Sequence, residues 1–575
     1  MNKRFLQLWL LVVAICLSIH IGSYPLYDAD EGRNGEVGRE MAATNDYVMP
    51  RLDGMPYLDK PIVYFAAEAA AMEILGPTEL AARLPALLFT FATALLLMWF
   101  ARRVWGTEEA LVAAIAFLSM PLVLAFSRTV IFDSALSFFI VLAIMAFYFA
   151  VEAKLVIPSV SEGSGRVEGE RTETAGAALP PGSLAPLGMT GWTVLAWAAI
   201  GFGVLTKGPV AIALPLIVAI PYAVRRKAFR ALWSWWGLLV FAIVIAPWVW
   251  AISVAVPDFL QYVLVTETVE RLATKALKRT GAPWYFVPYL IGGAVPWSIV
   301  AFFAWRKARR DHSMLYVALW IVVPFLFFSL SQSKRPQYIV PLMPAIALAV
   351  GHLWRDDQRR AIAIRCAAIA VLILGIALVA APSIIEHRAK IDPIIVAGVR
   401  ESALAMGIAA LAGAIAAIAF AKRRDIALAA LSLPVMAIPL TANPLLQSIG
   451  ALRSEKALVS QIKPYLTPQT QVVGIESFSG SMSFYLGREL LVATPNGEEF
   501  TSNYIIRHYE RFADDPRSSL RRPEWLQRNL DSCCTPRIYV IRSKDAEGRI
   551  ALESRGMRPI ASDGHFAAYG PWRGE

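Results

Sequence analysis

YPLYDADEGRNGEVGREMAATNDYVMPRLDGMPYLDKPIVY, residues 24–64, decides how the chain is read. It is the first long polar stretch after an apolar opening, and it sets charge beside aromatics and prolines. Asp28, Asp30, Glu31, Arg33, Glu36, Arg39 and Glu40 crowd its first half. Asp53, Asp59 and Lys60 close the second, with Pro56, Tyr57 and Pro61 around them. A connector between membrane spans needs only to be short and soluble, whereas binding and catalytic residues gather on loops held by a rigid scaffold. The stretch therefore reads as an active-site floor, and the apolar runs around it as the scaffold.

Those runs set the fold class. The chain has 575 residues, 57% hydrophobic and only 17% charged, where a soluble protein carries about a quarter charged residues. Repeated apolar runs of about 18–25 residues, long enough to cross a hydrocarbon core, account for the deficit. Candidate spans are 5–23, 80–101, 110–127, 134–152, 191–205, 209–224, 231–254, 284–305, 314–331, 336–353, 361–381, 403–421 and 426–442. When they alternate across a membrane, Lys3-Arg4, Arg102-Arg103, Lys154, Arg225 to Lys227, Arg306 to Arg310, Arg355 to Arg360 and Lys422 to Arg424 fall on one side. Lys and Arg are retained in the cytoplasm, so that side is inside. The same clustering explains the net charge of +11 without nucleic acid.

The sequence thus predicts a polytopic α-helical inner-membrane protein of about thirteen spans. Its amino terminus is expected inside and its carboxyl terminus in the periplasm. Residues 1–445 form the membrane domain, with a first outer loop at 24–79. Residues 153–190, rich in Gly, Pro, Ser and Glu without apolar period, read as a disordered cytoplasmic insertion. Residues 446–575 are mixed in character and read as a small periplasmic α/β domain. Its expected strands are 472–475, 490–492 and 538–541, and its expected helices 453–463 and 501–512. No A-x-A-like site follows the first apolar run, which is kept as a span. The four cysteines have no metal-binding spacing.

The alternation puts the unusual polar residues on the outer face, where basic residues among carboxylates ask for a reason. Asp28, Asp30 and Glu31 are close enough in sequence to raise one another's pKa, or to hold a divalent cation. Lys60 stands between Asp59 and Pro61, whose ring limits the backbone before it. A restrained ammonium near Tyr57 suits a phosphate, although a snorkelling lysine is the ordinary explanation. Asp133 ends a tight hairpin that begins at Ser127-Arg128, and Lys207 precedes a Gly-Pro break; ionisable residues at such depth are functional candidates, with a cap or a snorkelling end as the ordinary alternative. Residues 262–283 carry Glu267, Glu270, Arg271, Lys275, Lys278 and Arg279 around an apolar stripe, as in a helix lying on the outer interface. Lys334, Arg335 and Tyr338 add two cations and a tyrosine on that side.

Carboxylates suit activation of an acceptor, and cations suit a phosphate leaving group attached to a lipid. The combination points to group transfer from a lipid-phosphate donor, away from cytoplasmic nucleotides, and no Walker or G-x-G-x-x-G loop is present. A lipid-linked transporter would want ionisable residues midway along spans or repeated halves.

At these residues the chain resembles the integral-membrane glycosyltransferases of the C-type fold, bacterial relatives of protein O-mannosyltransferases and of the lipid A aminoarabinose transferase. The matching features are Asp30-Glu31 with Arg33, YLDKP at 57–61, Asp133, SKRPQYIVPLMP at 333–344, Pro283-Trp284-Tyr285 and the stretch Gly292 to Trp297. They lie within about the first 355 residues. Family members often carry a histidine shortly before the Pro-Trp-Tyr segment and a second proline after the lysine-proline step; here Lys278 to Gly281 and Ile62 stand instead. The resemblance implies that Asp30, with Glu31 and Asp133, does the chemistry. Arg33, Tyr57, Asp59, Lys60, Lys207, Arg271, Lys334, Arg335 and Tyr338 would bind substrate. The implied donor is a sugar on undecaprenyl phosphate, and the acceptor lipid A, another glycan or the Ser/Thr hydroxyls of exported proteins. No cofactor is implied beyond a divalent metal that Asp28, Asp30 and Glu31 can hold.

Overall fold

The computed structural model describes residues 2–156, 188–263, 281–304, 311–386, 391–530 and 535–572. Most of the predicted insertion and most of the predicted amphipathic helix, with Arg271, lie outside them. Among the described residues nine helices are long and apolar enough to cross a membrane, ten when one bent pair is taken as a single span. The protein is an integral membrane protein. The runs predicted at 5–23, 209–224 and 284–305 are also helical, but shorter or broken, as at Phe286–Gly293 and Trp297–Phe302.

The first helix, α1 (Lys3–Ser18), leads into the polar stretch, which is mostly helical. Helix α2 (Asp30–Thr44) ends at Asn45, whose left-handed φ of 53° stops it. A two-residue hairpin follows, β1 (Arg51–Leu52) and β2 (Met55–Pro56). Its turn is Asp53-Gly54 with φ of 49° and 76°, the positive values that a tight right-twisted hairpin needs. Helix α3 (Val63–Leu75) then runs to Thr78, whose hydroxyl caps the spanning helix α4 (Glu79–Val104). Helices α5 (Thr107–Leu118) and α6 (Pro121–Ser127) bend by 67° at Ser119-Met120, which carries the hairpin 128–132 to the start of α7 (Asp133–Val156).

Among the described residues the C-terminal region holds six strands, β3 (Gln471–Ile475), β4 (Leu491–Ala493), β5 (Leu520–Arg521), β6 (Arg537–Arg542), β7 (Pro559–Ser562) and β8 (Phe566–Trp572). They form one sheet in the order β5-β4-β3-β6-β8-β7. The β5-β4-β3-β6 pairs are parallel, and β8 and β7 close the edge antiparallel. Parallel strands are covered on both faces and so read as continuous apolar runs. That is why the sequence marks β3, β4 and β6; β7 and β8 are antiparallel, and β5, although parallel, is a two-residue edge strand too short to leave a pattern.

This sheet does not stand apart from the first loop. Leu26, Val37, Leu52, Tyr57 and Phe65 share one apolar cluster with Val472, Met482, Leu490 and Ile538. The short helix Gly480–Leu486 is pressed against α2 at two facing glycines. A Cβ on Gly32 would lie 2.4 Å from the Ser481 nitrogen, and one on Gly480 would lie 2.3 Å from the Arg33 nitrogen. Only glycine permits that approach.

Candidate active site

Where the first loop, the membrane helices and the sheet domain meet lies an open cleft of about 640 Å³, its solvent-filled mouth included. Asp30, Arg33, Asn34, Tyr57, Asp59 and Lys60 line it from the first loop; Ile131, Phe132 and Asp133 from the α6–α7 hairpin. Lys207 enters from the end of the helix Gly188–Lys207, and Arg335, Gln337 and Tyr338 from the 331–342 segment. Thr501 and Asn503 come from the sheet domain. Nine of the residues singled out in the sequence are therefore gathered in one place: Asp30, Arg33, Tyr57, Asp59, Lys60, Asp133, Lys207, Arg335 and Tyr338.

Asp30 opens α2, so its carboxylate also sits at the positive end of a helix dipole. Arg33, one turn on, donates to one oxygen at 2.7 Å, and Arg335 to the other at 3.2 Å. Burial pushes the Asp30 carboxyl up, but the two guanidiniums outweigh it and hold the group below the usual aspartate value. The expectation that neighbouring carboxylates raise Asp30 fails, because those neighbours face elsewhere. Asp28 turns to the sheet domain, where the Ser479 hydroxyl donates at 2.6 Å, the Ser481 amide at 3.1 Å, and the Ser481 hydroxyl as well. The proposed Asp28–Asp30–Glu31 cation site is not assembled.

Glu31 is not brought to the cleft with Asp30. It is 3% exposed and absent from the cleft. Arg83 grips it with two bonds of 2.8 and 3.0 Å, and it accepts the Tyr27 and Val130 amides. Arg83 also holds the Ile21, Tyr24 and Pro25 carbonyls and lies 3.8 Å over the Tyr24 ring. Glu31 thus ties α2, α4 and the Asp133 hairpin together. Sequence reasoning passed over Arg83, although a lone arginine inside an apolar span is the signal that would have found it.

The remaining cations divide. Lys207 pairs with Asp133 at 2.6 Å and lies 5.4 Å from the Tyr338 ring, while the other Asp133 oxygen is buried without a hydrogen-bond partner among the described residues. Lys60 donates to the Asp59 carbonyl at the cleft wall. Lys334, by contrast, is buried and spends its ammonium on the Ser329 and Ser331 carbonyls at 2.8 and 2.7 Å. It closes a loop end and leaves Arg335 as the cation of that segment in the cleft. Asp59 lines the wall with its carboxylate already engaged, accepting the Tyr262 hydroxyl at 2.7 Å and the Asn503 and Tyr504 amides at 2.9 and 3.1 Å.

Glu36, Glu40 and Asp53 bring carboxylate oxygens within 4.8 Å of one another beside the cleft, all three buried. They are occupied by protein: Glu36 by Arg39 at 2.6 and 2.7 Å, Glu40 by the Gly54 amide, and Asp53 by the Leu490 amide and the Ser483 hydroxyl. Burial lifts Glu36 to about 7 and Glu40 to about 8, and raises Asp53 as well.

Residues 59–157 match the family model for dolichyl-phosphate-mannose-protein mannosyltransferase. The chain is 28% identical over 358 residues to the undecaprenyl phosphate-alpha-4-amino-4-deoxy-L-arabinose arabinosyl transferase of Erwinia tasmaniensis, covering 61% of this chain and 59% of that one. It is 29% identical over 349 residues to the same-named enzyme of Aeromonas salmonicida, covering 59% and 58%. The alignments thus span less than two thirds of these relatives. The crystal structure of ArnT from Cupriavidus metallidurans bound to undecaprenyl phosphate superposes with a TM-score of 0.83 at 23% identity, over 100% of this chain and 99% of that one. The chain shares the fold of that ArnT structure. Within that fold the superposition takes in the sheet domain as well as the membrane helices, although the sequence matches stop well short of the full chain.

Proposed function

We propose that the protein is a glycosyltransferase that moves a sugar from a polyprenyl-phosphate donor to a glycolipid of the lipid A kind, at the periplasmic face of the inner membrane. The observation that carries the reading is the cleft itself: an ionised Asp30 among Arg33, Arg335, Lys60 and Lys207, beside the membrane helices. The sequence relatives are arabinosyl transferases, and the solved neighbour holds undecaprenyl phosphate; both support this donor class.

In this reading the acceptor hydroxyl donates its hydrogen bond to Asp30. The oxygen attacks the anomeric carbon as the carbon–oxygen bond to the lipid phosphate breaks in line, so configuration inverts. The phosphate leaves with the bonding electrons, and the acceptor proton passes through Asp30. A carboxylate held below its ordinary pKa is a weak base, so Asp30 chiefly orients the hydroxyl and stabilises positive charge growing on the sugar. Lys60 and Arg335 offset charge on the departing phosphate, and the Asp133–Lys207 pair with Tyr338 and Tyr57 shapes the sugar pocket. Preorganised cations are worth most in a partly desolvated cleft.

The test is mass spectrometry of lipid A from cells carrying the wild-type protein or Asp30→Asn. A mass increment present only with wild type identifies sugar and acceptor, and Asp30→Asn should lower transfer by about 100-fold or more. Identical spectra would remove lipid A as acceptor. The mannosyltransferase family match at 59–157 then directs the same comparison to exported proteins.

A further inference from the structure

The sheet domain contributes Thr501 to the cleft, and Thr501 has an unusual backbone. Its φ is +53°, in the left-handed region that a β-branched residue rarely adopts. Such conformations persist where surrounding contacts over-determine them. Here the contacts are visible. Arg33 sends one guanidinium nitrogen to Thr501 alone, at 2.6 Å to its hydroxyl and 3.2 Å to its carbonyl, while the other nitrogen reaches Asp30. The Arg33 guanidinium lies 5.8 Å from the Tyr57 ring, and its Nε is buried without a hydrogen-bond partner among the described residues. Thr501 and Asp30 therefore accept hydrogen bonds from the two terminal nitrogens of that guanidinium, while Tyr57 and Asp59 add to the field around it.

The neighbours of Thr501 are anchored independently. Phe500 stacks on Phe478 at 4.3 Å, Ser502 caps the following turn, and the Asn503 and Tyr504 amides bind Asp59. The segment is thus fixed on both sides, and Thr501 is the point where it touches the cation that pairs with Asp30.

We propose that Thr501 is a positioning residue: it aims the Arg33 guanidinium at Asp30, so that the sheet domain sets the electrostatics of the cleft. This rests on the proposed role of Asp30, but its geometry can be tested without any turnover. Arg33 released from Thr501 has other rotamers open to it, and time spent away from Asp30 weakens the pairing that keeps the carboxylate ionised.

The experiment is an infrared titration of purified full-length protein, with the Asp30 carboxylate band assigned by difference from Asp30→Asn. Thr501→Gly removes the hydroxyl and also relaxes the left-handed strain, so its folding is not at risk. Thr501→Ser keeps the hydroxyl. The expected result is a midpoint raised by about half a unit in Thr501→Gly, and a wild-type midpoint in Thr501→Ser, at unchanged or higher melting temperature. An unmoved midpoint in Thr501→Gly, or an equal shift in both variants, overturns the proposal. Should the midpoints behave as expected while Asp30→Asn leaves all envelope glycans unaltered, the positioning role stands and the transferase reading falls.

Discussion

Two guanidiniums reach Asp30, and the sign of their effect can be read in a pH profile. The carboxylate must be ionised to orient an acceptor, and its pKa is held below the ordinary value of about 4. Transfer should therefore persist below that pH before its acidic limb falls. Arg335→Gln removes the 3.2 Å pairing and leaves burial less opposed, so the acidic limb moves to higher pH; kcat/KM measured between pH 3 and 8 checks it. Glu31 makes the opposite forecast. Its loss should cost fold, because Arg83 is left buried without its carboxylate. Glu31→Leu should destabilise by about 3–5 kcal/mol, and Glu31→Leu with Arg83→Met by clearly less than the sum of the single changes, as read by thermal melting in detergent. From sequence the two neighbours look alike. Helical periodicity explains the difference: Asp30 and Arg33 share a face of α2, while Glu31, one position on, turns about 100° away toward α4. Lys334 and Arg335 part for a related reason, since the chain turns there and only one side chain faces the cleft.

Helix α2 carries a second signature, in stability rather than activity. Its Glu36 and Glu40 face Asp53 from the hairpin turn, with Arg39 on the same helix and Glu489 on the sheet domain. One arginine among four carboxylates leaves protons bound in the folded state that the unfolded chain releases. A carboxyl whose folded pKa is raised contributes most below its unfolded pKa, near 4.5, and loses that contribution as pH rises through the folded value. For Glu36 and Glu40 those values are about 7 and 8. The melting temperature should therefore fall as pH rises from 5 to 8.5, and Glu40→Gln should flatten the dependence; unaltered slopes would refute the assignment. Composition shows seven charged residues in the first half of this stretch, which reads as a polar outer loop. The helix and its buried charges were not legible there, because the covering surface, Gly480–Leu486 and β4, comes from the far end of the chain.

For the molecule as a whole, three aspartates of the first loop bind the sheet domain, and each does so by accepting its amides. Asp28 takes the Ser481 amide and two serine hydroxyls, Asp53 the Leu490 amide and the Ser483 hydroxyl, and Asp59 the amides of Asn503 and Tyr504. The membrane scaffold was legible because long apolar runs are a property of local sequence. The joint was not, because an aspartate that accepts distant backbone amides looks like any loop aspartate. With three such ties and a shared apolar cluster, loop and sheet should unfold together. Breaking ties should separate them. Asp53→Ala strands the Leu490 amide and the Ser483 hydroxyl, each unsatisfied group costing about 1–3 kcal/mol. Asp28→Ala does the same at Ser479 and Ser481. Calorimetry of the wild type should show the sheet domain melting in a single transition with the first loop. The Asp28→Ala/Asp53→Ala double variant should show an added low-temperature transition, and limited proteolysis should cut first near 454–470, between the last membrane helices and β3. A double variant that still melts in one transition, merely shifted, would mean that the shared apolar cluster and the remaining Asp59 tie are enough to couple the two.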